Sequence, residues 1–142
     1  MFSLDRNKFL KFSGTLMSLP LLGPLATFLS GCAGINYIQG VDFKNKTGIT
    51  LNEFKIQSFV VLENAHFRKP VLIYKKSDAE FTSVSLRCTH KGCELDPSGN
   101  KLVCPCHGSE FSFEGKVLNP PAKDDLQKFQ TSFDSEYVYV HY

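Results

Sequence analysis

Two cysteine–histidine pairs constrain this chain more than anything else in it: Cys88-Thr89-His90 and Cys104-Pro105-Cys106-His107. A further cysteine accompanies each pair, Cys93 in the first and Cys106 in the second. Thiolate and imidazole both bind soft and borderline metals, and each pair offers one sulfur and one nitrogen to a shared metal region. The spacing alone allows a tetrahedral zinc site. Zinc would leave Cys93 and Cys106 without a role, however, and unpaired thiols are a liability in an oxidising compartment.

The compartment is addressed by the amino terminus. Met1–Lys11 carries Arg6, Lys8 and Lys11 against only Asp5, and an apolar run from Phe12 to Leu29 follows it. This is the pattern of a basic n-region and an h-region. The run is also just long enough for a retained transmembrane anchor, although Pro20, Gly23 and Pro24 interrupt it. Its end, Leu29-Ser30-Gly31-Cys32, resembles the bacterial lipoprotein signal. That resemblance implies that residues 1–31 are a signal peptide cut before Cys32, and that Cys32 is the lipidation site. Two or three acyl chains hold a protein on a membrane where one binds only marginally. Cys32 is also the one of five cysteines that lies outside the paired motif. Asp5–Lys11 resembles a twin-arginine export signal, but Asn7 stands where the second arginine belongs. The export route stays open, and a membrane destination in the cell envelope follows either way, with the domain in the periplasm or otherwise outside the cytoplasm.

Charge narrows the function further. The chain has 16 basic and 14 acidic residues. Three of those bases and one of the acids fall within residues 1–31, so the exported part is balanced. Nucleic-acid binding asks for a concentrated basic face, which this pattern does not offer. No long amphipathic helix, repeat, nucleotide loop or paired-carboxylate site is present. Ser109 lies between Gly108 and Glu110, and the G-x-S-x-G frame of a nucleophile elbow is absent.

Residues 32–47 are polar and glycine-containing, and are expected to form a lipidated tether or a first edge segment. Residues 48–142 form the domain. Its short runs rich in Val, Ile, Phe, Tyr and Thr are Gly48–Leu51, Lys55–Leu62, Val71–Tyr74, Phe81–Leu86, Lys101–Cys104, Val117–Leu118 and Glu136–Tyr142. Turn formers separate them, including Asp96–Asn100 and Asn119–Ala122. Asp124–Gln130 is a faint helical candidate. An all-β domain of small sheets is predicted, with 13 phenylalanines and 5 tyrosines as core filling.

The full strings Cys88-Thr-His90-Lys-Gly-Cys93 and Cys104-Pro-Cys106-His107-Gly-Ser109 resemble the Rieske [2Fe-2S] proteins. The match is to the disulfide-containing class found in quinol–cytochrome reductases. The resemblance implies a Rieske-type fold of small antiparallel sheets, with a cluster-binding subdomain of two ligand loops at about 86–122. It implies that Cys88 and Cys104 bind one iron, that His90 and His107 bind the other, and that Cys93–Cys106 is a disulfide. Gly92 and Gly108 stand where the family's loops turn tightly. Ser109 stands where a hydroxyl donates to a bridging sulfide. Phe111 falls where the highest-potential members have a tyrosine donor, and Asn119-Pro120-Pro121-Ala122 takes the place of a third, proline-rich loop.

Neutral imidazoles in place of two thiolates remove negative charge from the ligand set. Reduction becomes easier, and such centres fall at roughly −150 to +300 mV. With Ser109 kept and the tyrosine donor absent, a middle value is expected. The implied function is one-electron transfer at a bacterial membrane, between a quinol-oxidising or other respiratory donor and a cytochrome-like acceptor. The alternative is the small Rieske subunit of an exported oxidoreductase of the arsenite-oxidase type.

Overall fold

Val60-Val61-Leu62 and Val71-Leu72-Ile73 are apolar without alternation, as strands covered on both faces must be. All six side chains are fully buried. The computed structural model describes residues 34–142. The expected signal peptide and Cys32 lie outside the described residues.

The strands are β1 (Tyr37–Ile38), β2 (Val41–Phe43), β3 (Lys46–Thr50), β4 (Phe59–Leu62), β5 (Val71–Ser77), β6 (Glu80–Ser85), β7 (Asp96–Ser98), β8 (Lys101–Val103), β9 (Glu110–Ser112), β10 (Val117–Asn119), β11 (Lys128–Phe129), β12 (Thr131–Phe133) and β13 (Tyr137–His141). One 3₁₀ turn, Leu51–Phe54, follows β3. Three sheets result, with strand orders β1-β4-β5-β6-β11, β10-β9-β8-β7 and β12-β13-β3-β2. Every pairing between strands is antiparallel except β1 with β4. The all-β expectation holds. Among the described residues no helix is long and apolar enough to cross a membrane.

The five-stranded sheet divides two cores. Val61, Leu72 and Val84 lie in register across β4, β5 and β6 and face the first core. Leu95, Leu102, Phe111 and Phe113 close that core from the second sheet and its loops, together with Cys88 and Cys104. The alternate residues Val60, Leu62, Val71 and Ile73 face the second core, where Ile49, Val138 and Val140 of the third sheet meet them. The first core therefore carries the cysteine–histidine loops, and the second supports it from behind.

Several local expectations change. Asp96–Asn100 is rich in turn formers, but Asp96–Ser98 is a strand paired with β8, and only Gly99-Asn100 turns. Gly99 has a φ of 61°, which L side chains seldom adopt. Asp124–Gln130 is not helical. The Leu126 amide donates to Gly115 O at 2.8 Å, and Lys128 and Phe129 pair with Val84 and Ser83 of β6. A long-range partner thus takes the backbone groups that a helix would need. Within Lys55–Leu62 only Phe59–Leu62 is strand. The segment read as tether or edge supplies β1 and β2, each at the edge of its sheet.

The third sheet is fastened by Asp134. Its Oδ1 accepts the amides of Glu136 and Tyr137, each at 2.8 Å, and its Oδ2 accepts the Tyr139 hydroxyl at 2.7 Å. The Tyr137 and Glu136 amides and the tyrosine hold this carboxyl below the usual carboxylate range. The same bond to Asp134 pushes the Tyr139 hydroxyl up to about 12.

Candidate metal centre

Two loops with one closure pattern carry the paired motifs. In the first, the Cys88 amide donates to Cys93 O and the Gly92 amide to Cys88 O, both at 2.8 Å. In the second, the Cys104 amide donates to Ser109 O at 2.8 Å and the Gly108 amide to Cys104 O at 2.9 Å. Gly92 and Gly108 both take a positive φ, 77° and 76°, so each closure needs its glycine. The first loop leaves β6 and the second connects β8 to β9. Both are thereby rooted in strands that bury residues in the first core.

The loops are stapled to each other. Cys93 and Cys106 form a disulfide with a Cα–Cα separation of 6.5 Å. Cys88 and Cys104 are the free cysteines among the described residues, and they are 1% and 2% exposed. The rings of His90 and His107 stand 4.9 Å apart, centroid to centroid, at an interplanar angle of 83°. His107 is exposed and His90 is half-buried. The structure thus brings the paired residues of both loops to one place.

A third segment covers this place. Ser109 is fully buried, and its Oγ accepts the Ala122 amide at 2.9 Å. Asn119 Nδ2 donates to Gly108 O at 3.2 Å, which ties the Asn119–Ala122 loop to the second ligand loop. Thr89 Oγ1 donates to Asp124 O at 2.7 Å and ties the same segment to the first loop. Asp125 anchors the start of β10 through Lys116 Nζ at 2.6 Å and the Val117 amide at 3.0 Å. Lys116 and that amide hold the Asp125 carboxyl below the usual range. Thr89 and Asp125 carry no signal in the sequence, and Asn119 stands there only as the first residue of the proline-rich loop. Their polar side chains look like ordinary surface residues until the backbone atoms they meet are in place. Phe111 is fully buried in the first core and has no hydroxyl to donate.

The donor set fits an iron–sulfur cluster. His90 Nδ1 is buried and has no hydrogen-bond partner, a costly state unless a metal or another group meets it. Two buried thiols and two neighbouring imidazoles complete the set. Among the described residues, the metal-binding atoms gathered in threes within 4.8 Å of one another are the sulfurs of Cys93, Cys104 and Cys106. Two of these sulfurs are committed to the disulfide. No triad is left to close on a single tetrahedral ion, as structural zinc requires. A two-metal cluster spreads its ligands and does not need one.

Comparison with known proteins points the same way. The family model for the Rieske [2Fe-2S] domain matches residues 51–130. The cytochrome b6-f complex iron-sulfur subunit 2 of Synechocystis sp. is 35% identical over 95 residues, covering 58% of this chain and 51% of that subunit. The chloroplastic iron-sulfur subunit of the same complex from Triticum aestivum is 29% identical over 133 residues, covering 83% of this chain and 59% of the wheat protein. The chain thus spans about half the length of the subunits it matches. Among solved structures, the cyanobacterial plasma membrane Rieske protein PetC3 from Synechocystis PCC 6803 superposes with a TM-score of 0.59 at 29% identity, covering 68% of this chain and 99% of that one. Naphthalene 1,2-dioxygenase, at 16% identity and a TM-score of 0.56, shares the fold over 26% of its length.

Proposed function

The chain belongs to the Rieske [2Fe-2S] domain family, and from this premise we infer that it carries single electrons between redox partners at a bacterial membrane. Cys88 and Cys104 would hold one iron and His90 and His107 the other, with the buried, unpartnered His90 Nδ1 as a donor. When bound, the cluster supplies a one-electron couple within the Rieske range of potentials. The chain's own residues set the conditions for it. The first core excludes water from the two cysteines, whereas His107 stays at the surface as the point of approach for a partner. The Ser109 oxygen is fixed by the Ala122 amide, which leaves its proton free to donate to a cluster sulfur. Such donors favour the reduced state. Phe111 offers none, so the midpoint is expected in the middle of the Rieske window.

The Cys93–Cys106 disulfide supports placing the chain with the disulfide-containing, quinol–cytochrome reductase-like class. The partner is then a cytochrome-like protein or a quinol-oxidising membrane complex. Residues 1–31 act as the export signal, Cys32 carries the lipid, and the short segment after it links the lipid to the folded domain.

The observation that carries this reading is the convergence of two buried free thiols with two imidazoles, one with an orphaned nitrogen, on disulfide-joined loops. The test is spectroscopic. Full-length protein from membranes should be coloured and should give a Rieske electron paramagnetic resonance signal after reduction. A colourless, zinc-containing protein would refute the assignment. Cys32→Ser should move the protein from the membrane to the soluble fraction with its spectrum unchanged. Solubilised membranes should reduce it in a quinol-dependent way.

A further inference from the structure

A second concave site lies beside the first cysteine–histidine loop. It is a groove of about 450 Å³ between the 66–68 loop, the end of β6, β11 and the segment His141–Tyr142. Arg68, Arg87 and Lys128 line it, and no Asp or Glu side chain does. Among the described residues none of these three cations has an acidic group within 4 Å. This concentration arises in an exported part whose acids and bases are otherwise balanced. Like charges in a concave wall repel one another and focus a positive potential into the groove.

A neighbouring groove of about 440 Å³ is a useful contrast. It shares Arg68, but Lys69, Glu63 and Glu94 also line it. There Lys69 Nζ meets Glu94 Oε2 at 3.2 Å, so the charge is compensated internally. In the first groove no ion pair among the described residues compensates it, and the nearest acidic influence on its cations is that of Asp125 on Lys128.

The first groove also has an aromatic floor. Phe67 packs edge-on against Phe129 at 5.0 Å and against Tyr142 at 5.8 Å. His66 stacks on Tyr142 at 4.0 Å. Its Nε2 lies 3.8 Å from Asp42, so that imidazole already has a partner. His141 Nε2 is likewise engaged, at 2.8 Å from Ser132 Oγ. The two histidines therefore shape the wall, and the arginines and lysine supply the free charge. Guanidinium groups bind phosphate and carboxylate through paired donors, and aromatic rings accept an apolar face. The volume is that of a small-molecule site.

We propose that this groove binds an organic anion, with its phosphate or carboxylate on Arg68, Arg87 and Lys128 and its apolar part against Phe129 and Tyr142. The site adjoins the first loop, where the Arg87 guanidinium lies over Gly92, but it uses none of the cysteines and histidines of the metal centre and does not depend on the cluster reading. The test is calorimetric titration of the full-length, cluster-loaded protein with phenyl phosphate, inorganic phosphate and phenol. Phenyl phosphate should bind about tenfold or more tightly than either fragment, since it uses both halves of the groove. Arg68→Gln and Lys128→Gln should each weaken it by about tenfold, the loss of one charge-assisted hydrogen bond. Lys55→Gln, outside the groove, should leave it unchanged, and circular dichroism should show each variant folded. Equal binding of phenyl phosphate and either fragment would overturn the proposal. So would an unchanged affinity in folded Arg68→Gln and Lys128→Gln, or a loss as large in Lys55→Gln.

Discussion

At Ser109 the oxygen that accepts the Ala122 amide keeps its own proton uncommitted, and the residue is fully buried. Ser109→Ala removes a donor toward the cluster and leaves the Ala122 amide without its acceptor. We expect a lower midpoint potential in a redox titration, and about 1–3 kcal/mol less stability by denaturant unfolding. An unchanged potential would mean that the hydroxyl does not reach the cluster. Side-chain identity made this residue legible in the sequence, as it did the two buried thiols and the paired cysteines. The orphaned His90 Nδ1 and the links from Thr89 and Asn119 were not legible. They depend on which backbone atom faces a side chain, and only the packed loops decide that.

Among the elements, the two ligand loops share one closure and are joined by a single covalent link between Cys93 and Cys106. Substituting both cysteines by serine should cost about 3 kcal/mol through the freedom returned to the unfolded chain. Cluster loss on warming should then begin at a lower temperature, followed by visible absorbance. The β12–β13 hairpin depends instead on protonation. Asp134, held below its ordinary range, adds stability above the unfolded carboxyl value of about 3.9 and loses it as pH falls through the folded value. Tyr139, raised to about 12, adds stability that is complete below the unfolded value of about 10 and is lost as pH rises through 12. Thermal melts should therefore fall at both pH extremes, and Asp134→Asn should flatten both edges. At this scale the long apolar runs announced themselves, whereas β7 and β11 did not. A Pro-Ser-Gly-Asn string and a Leu126-centred segment have local signals for a turn and for a helix. Pairing with β8 and β6 overrides those signals.

Across the whole molecule, the β4-β5-β6 rows face two cores at once, with Leu72 on one side and Ile73 on the other. Leu72→Ala and Ile73→Ala should each cost about 2–5 kcal/mol in denaturant unfolding. Leu72→Ala alone should disturb the cluster signal in the folded protein, because Cys88 and Cys104 share its core. An identical spectral change in both variants would contradict this division. Strand content could be read from composition, but sheet order could not. The parallel β1–β4 pair and the β3–β13 pair join segments far apart in sequence, with no local signal for the partner. The shared sheet has a consequence for cooperativity. Neither the cluster-bearing half nor its support owns a complete interior, so neither can melt and leave the other intact. Bleaching and loss of β-structure should trace one transition, and the loops excised by themselves should not fold.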